Sequence, residues 1–116
     1  MNKYFALAAI VAAIFLFANC SSSKKTMVMA TPKLNYETNL QTIVVANCSP
    51  CHIPAKGGNK KPYDNFANVK TDIDEIMRRI ELAPGERGFM PFKHDKLSDS
   101  TIAVFKQWRA DGLLEK

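Results

Sequence analysis

The chain has 116 residues, of which 47% are hydrophobic and 23% charged, enough for one domain with a core and too apolar for a disordered tail. Its length excludes a multi-domain enzyme, and no second apolar run approaches the ~20 residues of a bilayer-spanning helix, which excludes a polytopic membrane protein. The formal charge of +5 is small, and no basic run is interleaved with aromatics in the manner of a nucleic-acid groove.

Residues 1–19 have the layout of an export signal, with Lys3 near the front and an almost wholly apolar stretch from Tyr4 to Ala18. Phe17-Ala18-Asn19-Cys20 resembles the bacterial lipoprotein cleavage box, in which the cysteine is lipidated and becomes the first residue of the mature chain. Phe17 and Asn19 depart from the residues usual there, so an ordinary cleaved signal and an uncleaved anchor stand as alternatives. Lipid on Cys20 implies a protein held on the periplasmic side of a bacterial membrane. From Cys20 onward the chain carries 15 basic and 11 acidic side chains, a net +4. Residues 20–33 form a tether that is polar from Ser21 to Thr26 and lacks periodicity, and the thirteen residues after Cys20 have a mean reach of roughly 20 Å. A single domain is expected over 34–116.

The domain reads as all-helical. Asn35 is placed to cap a helix from Tyr36 to about Asn47, with Leu40, Ile43 and Val44 on one face. That helix delivers Cys48-Ser49-Pro50-Cys51-His52, the C-x-x-C-H sequence that attaches c-type haem. Two thiols on one turn can form thioethers with the two vinyl groups, and the histidine that follows then lies under the iron as proximal ligand. Export agrees with this, because haem c is matured outside the cytoplasm. Two other chemistries use the same residues. A thiol–disulfide centre would need an activated first cysteine in a βαβ setting, which the pattern lacks. A zinc site would need further ligands, for which His52 and His94 are available at irregular spacing.

Pro54, Gly57-Gly58-Asn59 and Pro62 mark a loop after the motif. Tyr63 to Val69 is expected to form one or two turns. Thr71 is expected to cap a separate helix whose first turn carries Asp72, Asp74 and Glu75, whose last carries Arg78-Arg79, and whose stripe is Ile73, Ile76, Met77 and Ile80. Pro84-Gly85 stops it. The last helix has Ser98 as N-cap, Leu97 and Ile102 as a hydrophobic staple, a face of Ile102, Ala103, Phe105, Trp108 and Leu113, and Asp111-Gly112 as its end.

In this order of elements, with Gly88-Phe89-Met90-Pro91 and then Leu97-Ser98-Asp99 opening a Trp-bearing helix, residues from about Asn35 to Leu114 resemble a small class I cytochrome c domain. The resemblance implies three to four helices wrapped around one covalent haem. It also implies that the first and last helices cross beside the haem, so that Leu40, Ile43 and Val44 meet Ile102, Phe105 and Trp108, with Trp108 among the residues that bind the haem. It implies a proline carbonyl accepting the other ring N–H of His52, for which Pro62 fits best. Low-spin electron transfer needs a sixth ligand. Met27 and Met29 lie in the tether and Met77 in a core stripe, whereas Met90 lies in a Gly/Pro-framed loop 38 residues after His52, at the family position. His94 is the rival. No paired acid and base suits turnover, so the expectation is an electron carrier, not an enzyme. Lys56, Lys60 and Lys61 after the motif, and Lys93 and Lys96 after Met90, would form a basic collar for acidic redox partners. A monomer is expected. A haem sensor with a displaceable Met90 is the alternative function. Such a domain has little surface to bury, so the haem would also staple the fold.

Overall fold

The computed structural model describes residues 31–116. The signal over 1–19, the lipid site Cys20 and the tether methionines lie outside the described residues. The described chain is mostly helical and contains no strand; one isolated parallel bridge joins Asn35 to Leu114.

Helix α1 opens as a π-helical turn, Tyr36–Leu40, and continues as a regular helix, Gln41–Asn47. Asn35 caps it: its side chain accepts the Thr38 N–H at 2.9 Å, while its own N–H donates to Asn39 Oδ1 at 2.9 Å. Two backbone donors near the helix start are thereby satisfied. Tyr36, Leu40 and Val44 point inward at a spacing of four and are buried, and Ile43 is half-buried beside them.

Helix α2, Phe66–Glu81, is longer than the sequence pattern suggested and absorbs the turns expected over Tyr63 to Val69. Its cap is Asn65, whose side chain accepts the Asn68 N–H at 3.0 Å. Thr71, expected as the cap, is interior instead. Its hydroxyl bonds back to the Ala67 carbonyl at 2.8 Å, which lets a threonine sit mid-helix without a free hydroxyl. The apolar stripe accordingly starts earlier, at Val69, and runs through Ile73, Ile76, Met77 and Ile80. Met77 is a core residue, as its place in the stripe indicated.

Helix α3, Asp99–Ala110, starts where expected, with Ser98 accepting the Thr101 N–H at 3.2 Å. It ends in a Schellman motif: Leu113 N–H bonds the Trp108 carbonyl at 3.0 Å and Gly112 N–H bonds that of Arg109 at 3.2 Å. Gly112 takes φ +101°, which a side chain would oppose. Ala103 faces solvent and does not join the packing face.

The helices α1 and α2 both pack on α3. Trp108 is fully buried between Tyr36 and Phe66, with ring centroids 6.2 and 6.3 Å away. Its indole N–H donates to the Leu114 carbonyl at 2.8 Å, and the same carbonyl accepts the Tyr36 N–H at 2.9 Å. One oxygen thus fastens the end of the chain to the start of α1. Among the described residues no helix is long and apolar enough to cross a membrane.

The revised start of α2 is directly testable. Asn65→Ala should cost about 1 kcal/mol of stability in urea denaturation, as an N-cap does. Thr71→Ala, an exposed interior position, should stay within about 0.5 kcal/mol.

Candidate functional site

Cys48 is the C-cap of α1, its N–H bonded to the Val44 carbonyl at 2.8 Å. The His52 N–H then bonds the Cys48 carbonyl at 2.9 Å, so the motif prolongs the helix by one turn. Positions i, i+3 and i+4 of a turn share a face, which is why Cys48, Cys51 and His52 line one cleft.

The loop after the motif folds back beneath it. Gly58 N–H bonds the Ile53 carbonyl at 3.1 Å, Lys60 N–H bonds that of Cys51 at 3.0 Å, and Tyr63 N–H bonds that of His52 at 2.8 Å. Gly58 sits so close that a Cβ there would clash with the Pro50 carbonyl and lie 2.6 Å from the Cys51 oxygen and 2.8 Å from the Ile53 nitrogen. Only glycine lets the loop close on the turn.

His52 Nδ1 lies 2.7 Å from the Lys61 carbonyl oxygen. A carbonyl only accepts, so Nδ1 carries the proton in this contact, which in the neutral imidazole leaves the lone pair on Nε2. The acceptor is one residue before the expected Pro62. The Lys61 C=O and the Tyr63 N–H, on either side of Pro62, both bond His52. Pro62 is exposed and lines no part of the cleft. Trp108 is likewise not a cleft residue; it is buried in the core between Tyr36 and Phe66, and Phe105, one turn earlier on α3, provides the wall.

The cleft has a volume of about 510 Å³, within the range of cofactor sites. Its apolar walls are Ile76 and Ile80 from α2 and Phe105 from α3, with Leu97 at the α3 entrance. Met90 and His94 come to it on the loop that follows α2. That loop is tied to the exposed carbonyls at the end of α2: Met90 N–H bonds the Arg79 carbonyl at 3.2 Å, and Lys96 Nζ bonds that of Glu81 at 3.0 Å. Met90 is half-buried against the core, whereas His94 is exposed. The donor set around the cleft is therefore two thiols, an imidazole with a free Nε2, a thioether and a second imidazole.

Two of the competing chemistries lose support here. Burial pushes the Cys48 thiol up to about 11, the opposite of an activated thiolate. Among the described residues no three His, Cys, Asp or Glu side chains cluster closely enough to hold a metal ion, so Cys48, Cys51, His52 and His94 do not form a zinc cage.

Sequence reasoning missed Tyr63, whose ring stacks on His52 with centroids 4.5 Å apart and 10° between planes. It also gave no role to Arg79 at the cleft, which is paired with Glu75 at 2.6 Å. The stripe spacing of Ile76 and Ile80 showed that they face inward, but not that they face a cavity. No protein-family model, curated protein or solved structure matches the chain.

Two outcomes follow from this geometry. Gly58→Ala should cost about 1–3 kcal/mol, because backbone must move to admit the methyl group; paired denaturation curves measure it. The Glu75 carboxyl, hydrogen-bonded by Arg78 and then Arg79, is held at about 2 against an ordinary 4.5. Its contribution is present above the ordinary value and lost as pH falls through about 2. Glu75→Gln should therefore lower the thermal midpoint at pH 7, by progressively less as the pH falls below 4.5 toward 2.

Proposed function

We propose that residues 34–116 form a monohaem c-type cytochrome domain that carries single electrons between redox proteins. The observation that carries this reading is the 2.7 Å contact of His52 Nδ1 with the Lys61 carbonyl oxygen. A C-x-x-C-H histidine whose Nδ1–H is bonded to a backbone carbonyl has its Nε2 available at an apolar cleft that both motif cysteines also line. The chemistry of the donor set fits the group. Cys48 and Cys51 would hold it by thioether bonds, His52 would be the proximal ligand and Met90 the distal one. Bound there, the haem supplies the Fe(III)/Fe(II) couple.

The chain's own residues do the rest. Ile76, Ile80, Phe105 and Leu97 exclude water and lower the local dielectric, which favours the less charged reduced state. The Lys61 carbonyl fixes the imidazole and makes it a better donor, which favours the oxidised state. The potential reflects the balance of the two. With His52 and Met90 both serving as ligands, the group would have no open site for substrate.

The proposed docking collar is smaller than the lysine count implied. Lys61 is paired with Asp72, and Lys96 is engaged by the Glu81 carbonyl. Lys56, Lys60 and Lys93 make no ion pair among the described residues, and Lys93 lies 5.3 Å from the ring of Phe92 at the cleft rim. Docking through so few charges would be weak and fast, as redox encounters are. Lipid on Cys20 would keep the domain beside the outer side of a bacterial membrane, within reach of fixed partners.

The ligand assignment is tested by axial-ligand variants of the haem-loaded protein. Met90→Ala should abolish the far-red charge-transfer band of an iron–thioether bond and lower the reduction potential, and His94→Ala should leave both unchanged. A wild type that lacks that band, with spectrum and potential altered by His94→Ala and not by Met90→Ala, would make His94 the sixth ligand. Ready CO binding by the ferrous wild type would favour a sensor with a displaceable Met90.

A further inference from the structure

Outside the donor set, one buried arrangement converges on His52. The Tyr63 ring, 7% exposed, stacks on the imidazole. Its hydroxyl donates to Asp72 Oδ2, and Lys61 Nζ donates to the other oxygen, Oδ1. Lys61 is also the residue whose carbonyl accepts the His52 Nδ1–H. Asp72 stands in the second turn of α2, on a helix whose stripe is buried, so its backbone is fixed. Its side chain is only 14% exposed, against 57% for Lys61. An ordinary surface ion pair would contribute little. Here the second carboxylate oxygen is bonded to a buried phenol, so the carboxylate joins two elements of the site.

We propose that Asp72 is a positioning residue for the axial imidazole: one carboxylate clamps both the ring stacked on His52 and the residue that accepts its Nδ1–H. The inference rests on the haem reading and goes beyond it, because it assigns the control of His52 to a side chain twenty residues away. Rotation of the imidazole about its Cβ–Cγ bond would break the stack and the hydrogen bond together. A firm Nδ1–H···O bond gives the ring more anionic character and favours Fe(III). Loosening segment 61–63 should therefore raise the reduction potential and expose the Nδ1 proton to solvent. The carboxyl suits the role at neutral pH: burial raises its pKa, but the bonds from Lys61 and Tyr63 outweigh that and hold it below the ordinary value.

The experiment uses the full chain matured with haem, as wild type, Asp72→Ala, Asp72→Asn and Tyr63→Phe. Haem content is checked first, then the exchange rate of the His52 Nδ1 proton by NMR, the ferric EPR g-values and the potential. Asp72→Ala should exchange that proton about tenfold faster, the equivalent of one net hydrogen bond, shift the g-values and raise the potential. Tyr63→Phe keeps the stacked ring and the net charge but loses the anchor, and should move the same readouts in the same direction. Asp72→Asn should restore slow exchange, since an amide can accept from Lys61 and donate to Tyr63. Equal rises in potential for Ala and Asn with unchanged exchange, and a wild-type Tyr63→Phe, would overturn the proposal in favour of a simple charge effect. Should Asp72→Ala fail to fold, Tyr63→Phe and Asp72→Asn decide between the two. A wild type without haem would instead be the failure of the underlying reading, and this inference would fall with it.

Discussion

Two hydrogen bonds between His52 and segment 61–63 fix the site on which everything else depends. One runs from the Tyr63 N–H to the His52 carbonyl and one from the His52 ring to the Lys61 carbonyl. Together they hold a single residue by its backbone and its side chain. The segment reaches that place because the loop from Ile53 to Pro62 doubles back under the motif, and it can do so because Gly58 has no side chain at the point of closest approach. The local sequence therefore builds the platform for the imidazole, and Asp72 ties that platform to α2.

The remainder of the domain supplies the opposite wall. Helices α1 and α3 are fastened through Trp108, Tyr36 and the Leu114 carbonyl, which makes a rigid corner away from the cleft. Ile76, Ile80 and Phe105 belong to the core and line the cleft at once. The core is thus open on one side, toward the motif. In a domain of this size the apolar surface is scarce, and a cofactor seated in the cleft would complete the core as well as supply the chemistry. Stability and redox function would then depend on the same packing surface.

Much of this was legible in the sequence because it depends on short-range spacing. The caps at Asn35 and Ser98, the glycine stop at Gly112 and the one-turn grouping of Cys48, Cys51 and His52 are local features with local causes. The errors arose where a local signal had two readings. Thr71 followed by acidic residues looks like a helix start, yet Asn65 competes with it, and the outcome depends on whether Val69 finds a core to enter. The acceptor for His52 was displaced by one residue because the resemblance to cytochromes pointed to a proline, whereas the folded loop brings the preceding Lys61 carbonyl to the ring. Trp108 and Phe105 lie on the same helical stripe, and no pattern along the chain distinguishes the one that faces the core from the one that faces the cleft. Tyr63 and Asp72 gave no signal because their meeting requires a folded loop to lie against α2.

The most direct test is intact-mass spectrometry of chain produced in a host that matures c-type haem, followed by denaturation in acid. The account predicts a mass increase of one haem, colour that stays with the unfolded chain, and no free thiol at Cys48 or Cys51. A colourless chain of unmodified mass, with both of those thiols open to alkylation, would contradict it.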